Sequence, residues 1–219
     1  MHRSLQESNE LNRVLQPRNH TSMYKTLPSH ARTVPDNAKQ VFNGVIFDVY
    51  QWPQKMFDGS EAIFEMLRRP DTVQIIAIKN GKLVMIHDEQ PDRSAELTFP
   101  GGRPDQEDNS WLVAAQRELR EETGLSCKNW RLIAVYQPSR KIEQFVAWFL
   151  ATDITDEQPQ QLDVGERIVV EPFAFSDVRA KIFDTEHSSL SYAIPLFLQF
   201  ESLDDLLNAS IFQGRNVDR

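Results

Sequence analysis

The sequence predicts an α/β fold, and three observations point there. Runs rich in β-branched and aromatic residues recur along the chain, as strands do. Two of them, "TVQIIAI" and "KLVMIH", are joined by Asn80-Gly81, a two-residue link that suits a hairpin. A further stretch, residues 110–124, has the apolar spacing of a helix and a signal at each end.

Residues 1–38 are polar with scattered proline and asparagine, and read as a flexible arm, helical at best around "ESNELNRVLQ". "QVFNGVIFDVYQW" reads as a strand. "FDGSEAIFEMLRRPD" opens on an Asp58-Gly59 turn and ends at Pro70. Together they make residues 39–70 a β-rich N-terminal extension. Residues 71–219 form the main domain, beginning with the hairpin. "AELTFP" is a short strand stopped by Pro100 and two glycines. Ser110 is the natural N-cap of the helix and Gly124 its left-handed stop. Leu112, Ala115 and Leu119 form the apolar stripe on which it docks. "NWRLIAVYQ", "EQFVAWFLATDI" and "ERIVVEPFAF" are three more strands. "SDVRAKIF" and "SLSYAIPLFLQFESLDDLLNA" read as helix with a break near Pro195.

A chain of 219 residues suits one domain, or one domain with a small extension. Its 40% apolar and 26% charged content is that of a soluble globular protein. A net charge of −8 argues against nucleic-acid or anionic-membrane partners, which favour basic surfaces, while leaving room for a local basic pocket. No apolar run approaches the ~20 residues of a membrane span. The N-terminus lacks the apolar core of a secretory signal. The single Cys127 fits a reducing cytosol and offers neither an internal disulfide nor a metal cluster. A cytoplasmic location is expected.

One sector of the helix is crowded with acid: Glu118, Glu121 and Glu122. Like charges three or four residues apart repel by roughly 0.2–0.5 kcal/mol per pair. Ala114, one turn earlier in that sector, leaves room beside them. Grouped oxygen ligands suit Mg²⁺ or Mn²⁺. A solvated Glu/Arg surface helix is the plainer reading of such a string taken alone. Arg117 and Arg120 point elsewhere and can buttress the acids or the preceding loop.

The preceding loop changes the balance. "GG…RELREETGL" resembles the Nudix box, G-x5-E-x7-R-E-U-x-E-E-x-G-U, where U is bulky and aliphatic. Arg117, Glu118, Leu119, Glu121, Glu122, Gly124 and Leu125 match its second half at every fixed position. The first half departs: Gly102 to Arg117 is fifteen residues, where the pattern has fourteen. Counting back from Arg117, the isolated glutamate of the box falls on Asn109, and Glu107 or Asp108 is the candidate substitute. The resemblance implies a mixed β-sheet core flanked by helices, an α/β/α sandwich. It also implies hydrolysis of a diphosphate linked to another moiety, with Glu118, Glu121, Glu122 and a main-chain carbonyl near Gly101 holding Mg²⁺. Arg117 would orient the acids.

Beyond the box, "RRPDTVQIIAI", "AELTFPGG", "YQPSRKIEQF" and "GERIVVEPF" are similar to the ADP-ribose pyrophosphatase branch. That likeness implies ADP-ribose or a related nucleoside diphosphate sugar as substrate. Glu166 matches a glutamate that helps activate water there, with Glu121 beside the reacting centre and Glu143 the lesser candidate for base. Arg68, Arg69 and Arg93 are candidate phosphate partners. Glu96 could meet a ribose hydroxyl or an arginine, and Glu143 a substrate group. Tyr50, Trp52 and Phe57 could stack on a base, or simply pack the extension. Trp111 could wall the site, although packing suits it better. In the branch, the extension joins two subunits, which implies a homodimer. Rival readings are another nucleotide substrate (a dinucleoside polyphosphate, NADH or a modified nucleoside triphosphate), or a nucleotide-sensing protein of this fold without turnover.

Overall fold

The computed structural model describes residues 23–184 and 188–218. In chain order, strand β1 (Tyr24–Leu27) leads into β2 (Lys39–Asn43), β3 (Asp48–Lys55) and β4 (Glu61–Arg68). The main domain continues with β5 (Thr72–Lys79), β6 (Lys82–Gln90), β7 (Arg93–Thr98) and β8 (Gly101–Gly102). Helix α1 (Trp111–Thr123) follows, then β9 (Leu125–Tyr136), β10 (Ile142–Glu143), β11 (Val146–Glu157) and β12 (Arg167–Phe173). Helix α2 (Phe175–Phe183), a 3₁₀ turn (Ser188–Ala193), α3 (Ile194–Phe197), α4 (Leu203–Leu207) and β13 (Arg215–Asp218) close the described chain.

The central sheet runs β12-β6-β5-β11-β9, with β7 added to β6 and β8 to β5. It is mixed: β11 lies parallel to β5 and antiparallel to β9. The β5–β6 hairpin closes at Asn80 (φ 51°) and Gly81 (φ 74°), as two positive-φ turn residues allow. One face of the sheet packs on α1 through Val73, Ile75 and Ala77 of β5. The other packs on α2, the 3₁₀ turn, α3 and α4 through Ile76, Met85, Trp148 and Leu150. Alternate residues of β5 thus serve opposite layers, which is what a strand's period of two requires of a sheet buried on both sides. The architecture is an α/β/α sandwich. Among the described residues, no helix is long and apolar enough to cross a membrane.

Several local expectations need correction. Residues 40–52 belong to two strands rather than one: the chain turns at residues 44–47, where Gly44 N–H donates to Phe47 O at 3.0 Å. The arm read over residues 1–38 is not wholly loose, because β1 pairs with β13 and buries Met23 and Leu27. The helix considered around "ESNELNRVLQ" lies outside the described residues. Pro195 does not break a helix. It sits in the first turn of α3, where its missing N–H costs nothing. The interruption comes at residues 198–202, where Ser202 caps α4. On α1 the docking stripe is Trp111, Ala114, Ala115 and Leu119, all buried, while Leu112 is exposed. Ala114 therefore belongs to the core rather than to open space beside the acids.

Leu119→Ala, at a side chain with no exposure, is expected to cost about 2–5 kcal/mol in urea unfolding. Leu112→Ala is expected to cost within about 0.5 kcal/mol, as surface changes do.

Candidate active site

The site is built where β8 meets α1. Gly101 and Gly102 pair antiparallel with Gln74 and Val73. Gly101 has φ 151°, and a Cβ there would collide with the Val73 carbonyl. At Gly102 a Cβ would occupy the place of the Glu118 carboxyl. The two glycines thus let the acids of α1 lie directly against backbone. Ser110 caps α1 by accepting from Val113 N–H at 3.3 Å, and Gly124 ends it with φ 74°.

Within this frame Glu122 is 6% exposed and accepts from Gly101 N–H at 2.7 Å. Burial and the charge of Glu118 push its carboxyl well above the usual carboxylate range, with Glu166 and Asp88 adding to the push. Burial likewise raises the Glu118 carboxyl to about 7, against the pull of Arg117. Arg117 donates to Asp108 at 2.8 Å and to Glu121 at 2.9 Å, and lies 3.1 Å from Glu118. It also donates to the Arg103 carbonyl at 3.1 Å. Burial alone would depress the Arg117 pKa, but its bonds to Asp108 and Glu121 and the charge of Glu118 outweigh that and raise it. Of the two candidates for the box's displaced glutamate, Asp108 holds Arg117; it is 4% exposed.

Glu166 lies in the turn before β12, half-buried, accepting from Asp163 N–H at 3.4 Å. Burial raises its pKa, with Asp163 and Asp88 contributing. The structure brings Glu166 and Asp88, a residue the sequence reading did not single out, into the field of Glu122. Asp88 is 7% exposed on β6 and holds the guanidinium of Arg93, which also reaches Glu96 at 3.3 Å. The signal that could have found Asp88 is its acid in a buried strand, since lone charges are rarely buried without partners.

Other expected residues gather elsewhere. Arg68 donates to the Tyr50 hydroxyl at 3.2 Å and pairs with Glu143 at 3.3 Å. Glu143 also accepts from Val34 N–H. Trp52 sits tilted against Phe64, ring centroids 6.2 Å apart, and Arg69 lies over the Phe47 ring. Trp111 is 2% exposed and packs in the core, rather than walling the site. Phe57 is fully exposed at a turn. Tyr192 was also missed. Its hydroxyl is bonded to Thr98 and Gln74, at 2.7 and 3.0 Å, and its ring stacks on Trp148 at 5.6 Å. It fastens the C-terminal layer to the strands that carry the glycine turn.

The NUDIX domain family profile matches residues 68–192, more than half of the chain. The chain belongs to the Nudix family. Among curated proteins, the methanol dehydrogenase activator of Bacillus methanolicus is 28% identical over 103 residues. That match covers 46% of this chain and 55% of the relative, so it spans about half the relative's length. Among solved structures, an ADP compounds hydrolase shares the fold with a TM-score of 0.55 at 20% identity, over 77% of this chain and 97% of that one. A NUDIX hydrolase from Nitrosomonas europaea reaches a TM-score of 0.48 at 20% identity, over 66% and 92%.

Do the side chains of this Nudix domain fit a divalent cation? Among the described residues, no three His, Cys, Asp or Glu side chains converge into a ready-made ligand cage. The chemistry of the donors fits nonetheless. Glu122, buried, and Glu118, partly buried, both offer carboxyl oxygens, lie in each other's field and are set against a glycine turn. Glu121, its side chain 38% exposed, is turned to Arg117 and would complete the set by leaving it.

The titration of Glu118 offers a test. The fold raises its pKa from 4.5 to about 7, so the uncharged carboxyl stabilises the cation-free chain fully below pH 4.5. That contribution is lost as pH rises through about 7. In EDTA, Tm is expected to fall across this window, and Glu118→Gln is expected to flatten the fall.

Proposed function

We propose that this Nudix chain hydrolyses the pyrophosphate bond of ADP-ribose or a related nucleoside diphosphate sugar, giving a nucleoside monophosphate and a sugar phosphate. Mg²⁺ is the proposed cofactor, with Mn²⁺ as substitute. The observation that carries the reading is the pair of acids, Glu122 buried and Glu118 partly buried, seated on the glycine turn, with Glu166 in the field of Glu122. The name of the fold neighbour, an ADP compounds hydrolase, supports the substrate class.

In this reading Glu118, Glu121 and Glu122, with the Gly101 main chain, hold the cation. When bound, Mg²⁺ neutralises the diphosphate oxygens and increases the acidity of the attacking water. Glu166 orients that water and takes its proton as the new phosphorus–oxygen bond forms and the bridging bond breaks. Its raised pKa makes it a stronger acceptor for the proton of the attacking water. Arg117, held by Asp108, keeps Glu118 and Glu121 in place. Arg93, paired with Asp88 and Glu96, is the proposed partner of a phosphate oxygen. Arg68 and Glu143 form a paired unit beside Tyr50, through which the extension would contact the sugar or base, with Trp52 as the stacking candidate.

The extension is also proposed to join two copies of the chain. Val41, Phe42, Val45, Ile46 and Phe47 are exposed on and after β2, an apolar surface of the kind that marks a protein contact. A cytoplasmic location fits the single cysteine, Cys127. One observation favours a sensing role without turnover: the lengthened box loop, with Asn109 where the isolated glutamate of the pattern would fall. Product analysis separates the two readings.

Incubation with ADP-ribose and Mg²⁺ is expected to release AMP. Glu122→Gln is expected to lower turnover at least ~100-fold, the scale on which charge-stabilising groups act at a reacting centre, with an unchanged circular dichroism spectrum. Near-normal turnover would remove Glu122 from the proposed ligands. In analytical ultracentrifugation the chain is expected at twice its 25.3 kDa mass, and Phe42→Asp at that mass alone.

A further inference from the structure

We infer that β1 braces the loop that delivers the carboxylates, and that Lys25 and the Tyr24 backbone are positioning groups for the proposed cation site. The inference rests on the cation site of the preceding reading, but on no particular substrate.

The loop between β8 and α1 is one residue longer than the Nudix pattern allows. An unsupported extra residue beside an N-cap would leave the start of the helix free to shift. Here the loop is met by a strand. Tyr24 forms a parallel bridge with Ser110, the N-cap itself, and Tyr24 N–H donates to Asn109 O at 3.4 Å. Asn109 is the position at which the isolated glutamate of the pattern would fall.

The contact reaches the acids in few steps. Asp108, next to Asn109, holds Arg117 at 2.8 Å, and Arg117 holds Glu121 at 2.9 Å and Glu118 at 3.1 Å. A second route runs through Lys25, whose ammonium lies 2.7 Å from Asp71. Asp71 is 7% exposed and accepts from the Trp111 indole N–H at 3.1 Å and from Phe145 N–H at 2.9 Å. It therefore ties the first residue of α1 to the segment entering β11, and Lys25 supplies its counter-charge. A buried carboxylate stripped of its cation is strongly destabilised, and the surrounding bonds must rearrange. β1 is in turn fixed by β13, with Tyr24 to Leu27 in register with Asp218 to Arg215. The two ends of the described chain thus form a clasp over the box loop.

Two variants of the full chain separate positioning from plain glue. Lys25→Met removes the counter-charge. Tyr24→Pro removes one N–H from extended backbone, at a residue whose side chain is exposed. Mg²⁺ binding is measured by isothermal titration calorimetry without substrate, with Tm in EDTA recorded beside it. Both variants are expected to bind Mg²⁺ roughly 10-fold more weakly, the scale of losing outer support to metal ligands, and Lys25→Arg is expected to restore binding. A lower Tm with unchanged Mg²⁺ affinity in both variants would overturn the inference. No Mg²⁺ binding by the unaltered chain would overturn the cation site and the brace together. Normal Mg²⁺ binding without AMP release would sink only the proposed activity.

Discussion

Two carboxyls placed in each other's field, one buried and the other partly so, are the constraint around which the rest of this molecule is arranged. Glu118 and Glu122 lie one helical turn apart with little solvent to separate their charges. Isolated, such a pair opposes folding. It is tolerated because α1 is anchored from several sides. Leu119 and Ala115 bury it against the sheet, Trp111 ties its first turn to Asp71, and Gly124 lets the chain leave it sharply. Stability supplied by the core is thereby spent on holding acids where they repel, the usual mark of a site shaped by chemistry rather than by packing.

The sheet makes that placement possible. β5 is central, receives β11 in parallel, and at its beginning receives the glycine pair of β8. Backbone from the sheet and side chains from the helix therefore meet at one edge. β6 brings Asp88 to the same region, and the turn before β12 brings Glu166. Segments far apart in sequence thus place charges in the field of Glu122.

Much of this was legible in the sequence, for physical reasons. The hairpin at Asn80-Gly81 and both ends of α1 are written in residues whose backbone preferences are strong and local. The glutamate triplet and its partner Arg117 are carried by spacing along one helix. What escaped depends on distant partners. The turn at Gly44 interrupts an apolar run whose composition favours a strand throughout. β1 and β13 are polar, and each is a strand only because the other lies beside it. Leu112 and Ala114 exchanged roles because spacing places a stripe on a helix but does not say which flank meets the sheet. Tyr192 matters through a contact across 118 positions of sequence, beyond the reach of any local pattern, and Asp88 through its closeness to Glu166 and Glu122 on other elements.

One small element has a consequence for how such a protein could be rearranged. β10, only Ile142–Glu143, lies inside the main domain's sequence yet forms the edge of the extension's sheet, parallel to β4. The extension is therefore stitched to its host by a strand it does not own. Transplanted alone onto another protein, it would carry a raw β4 margin, open to adventitious strand pairing. The portable unit includes the β9–β11 connection.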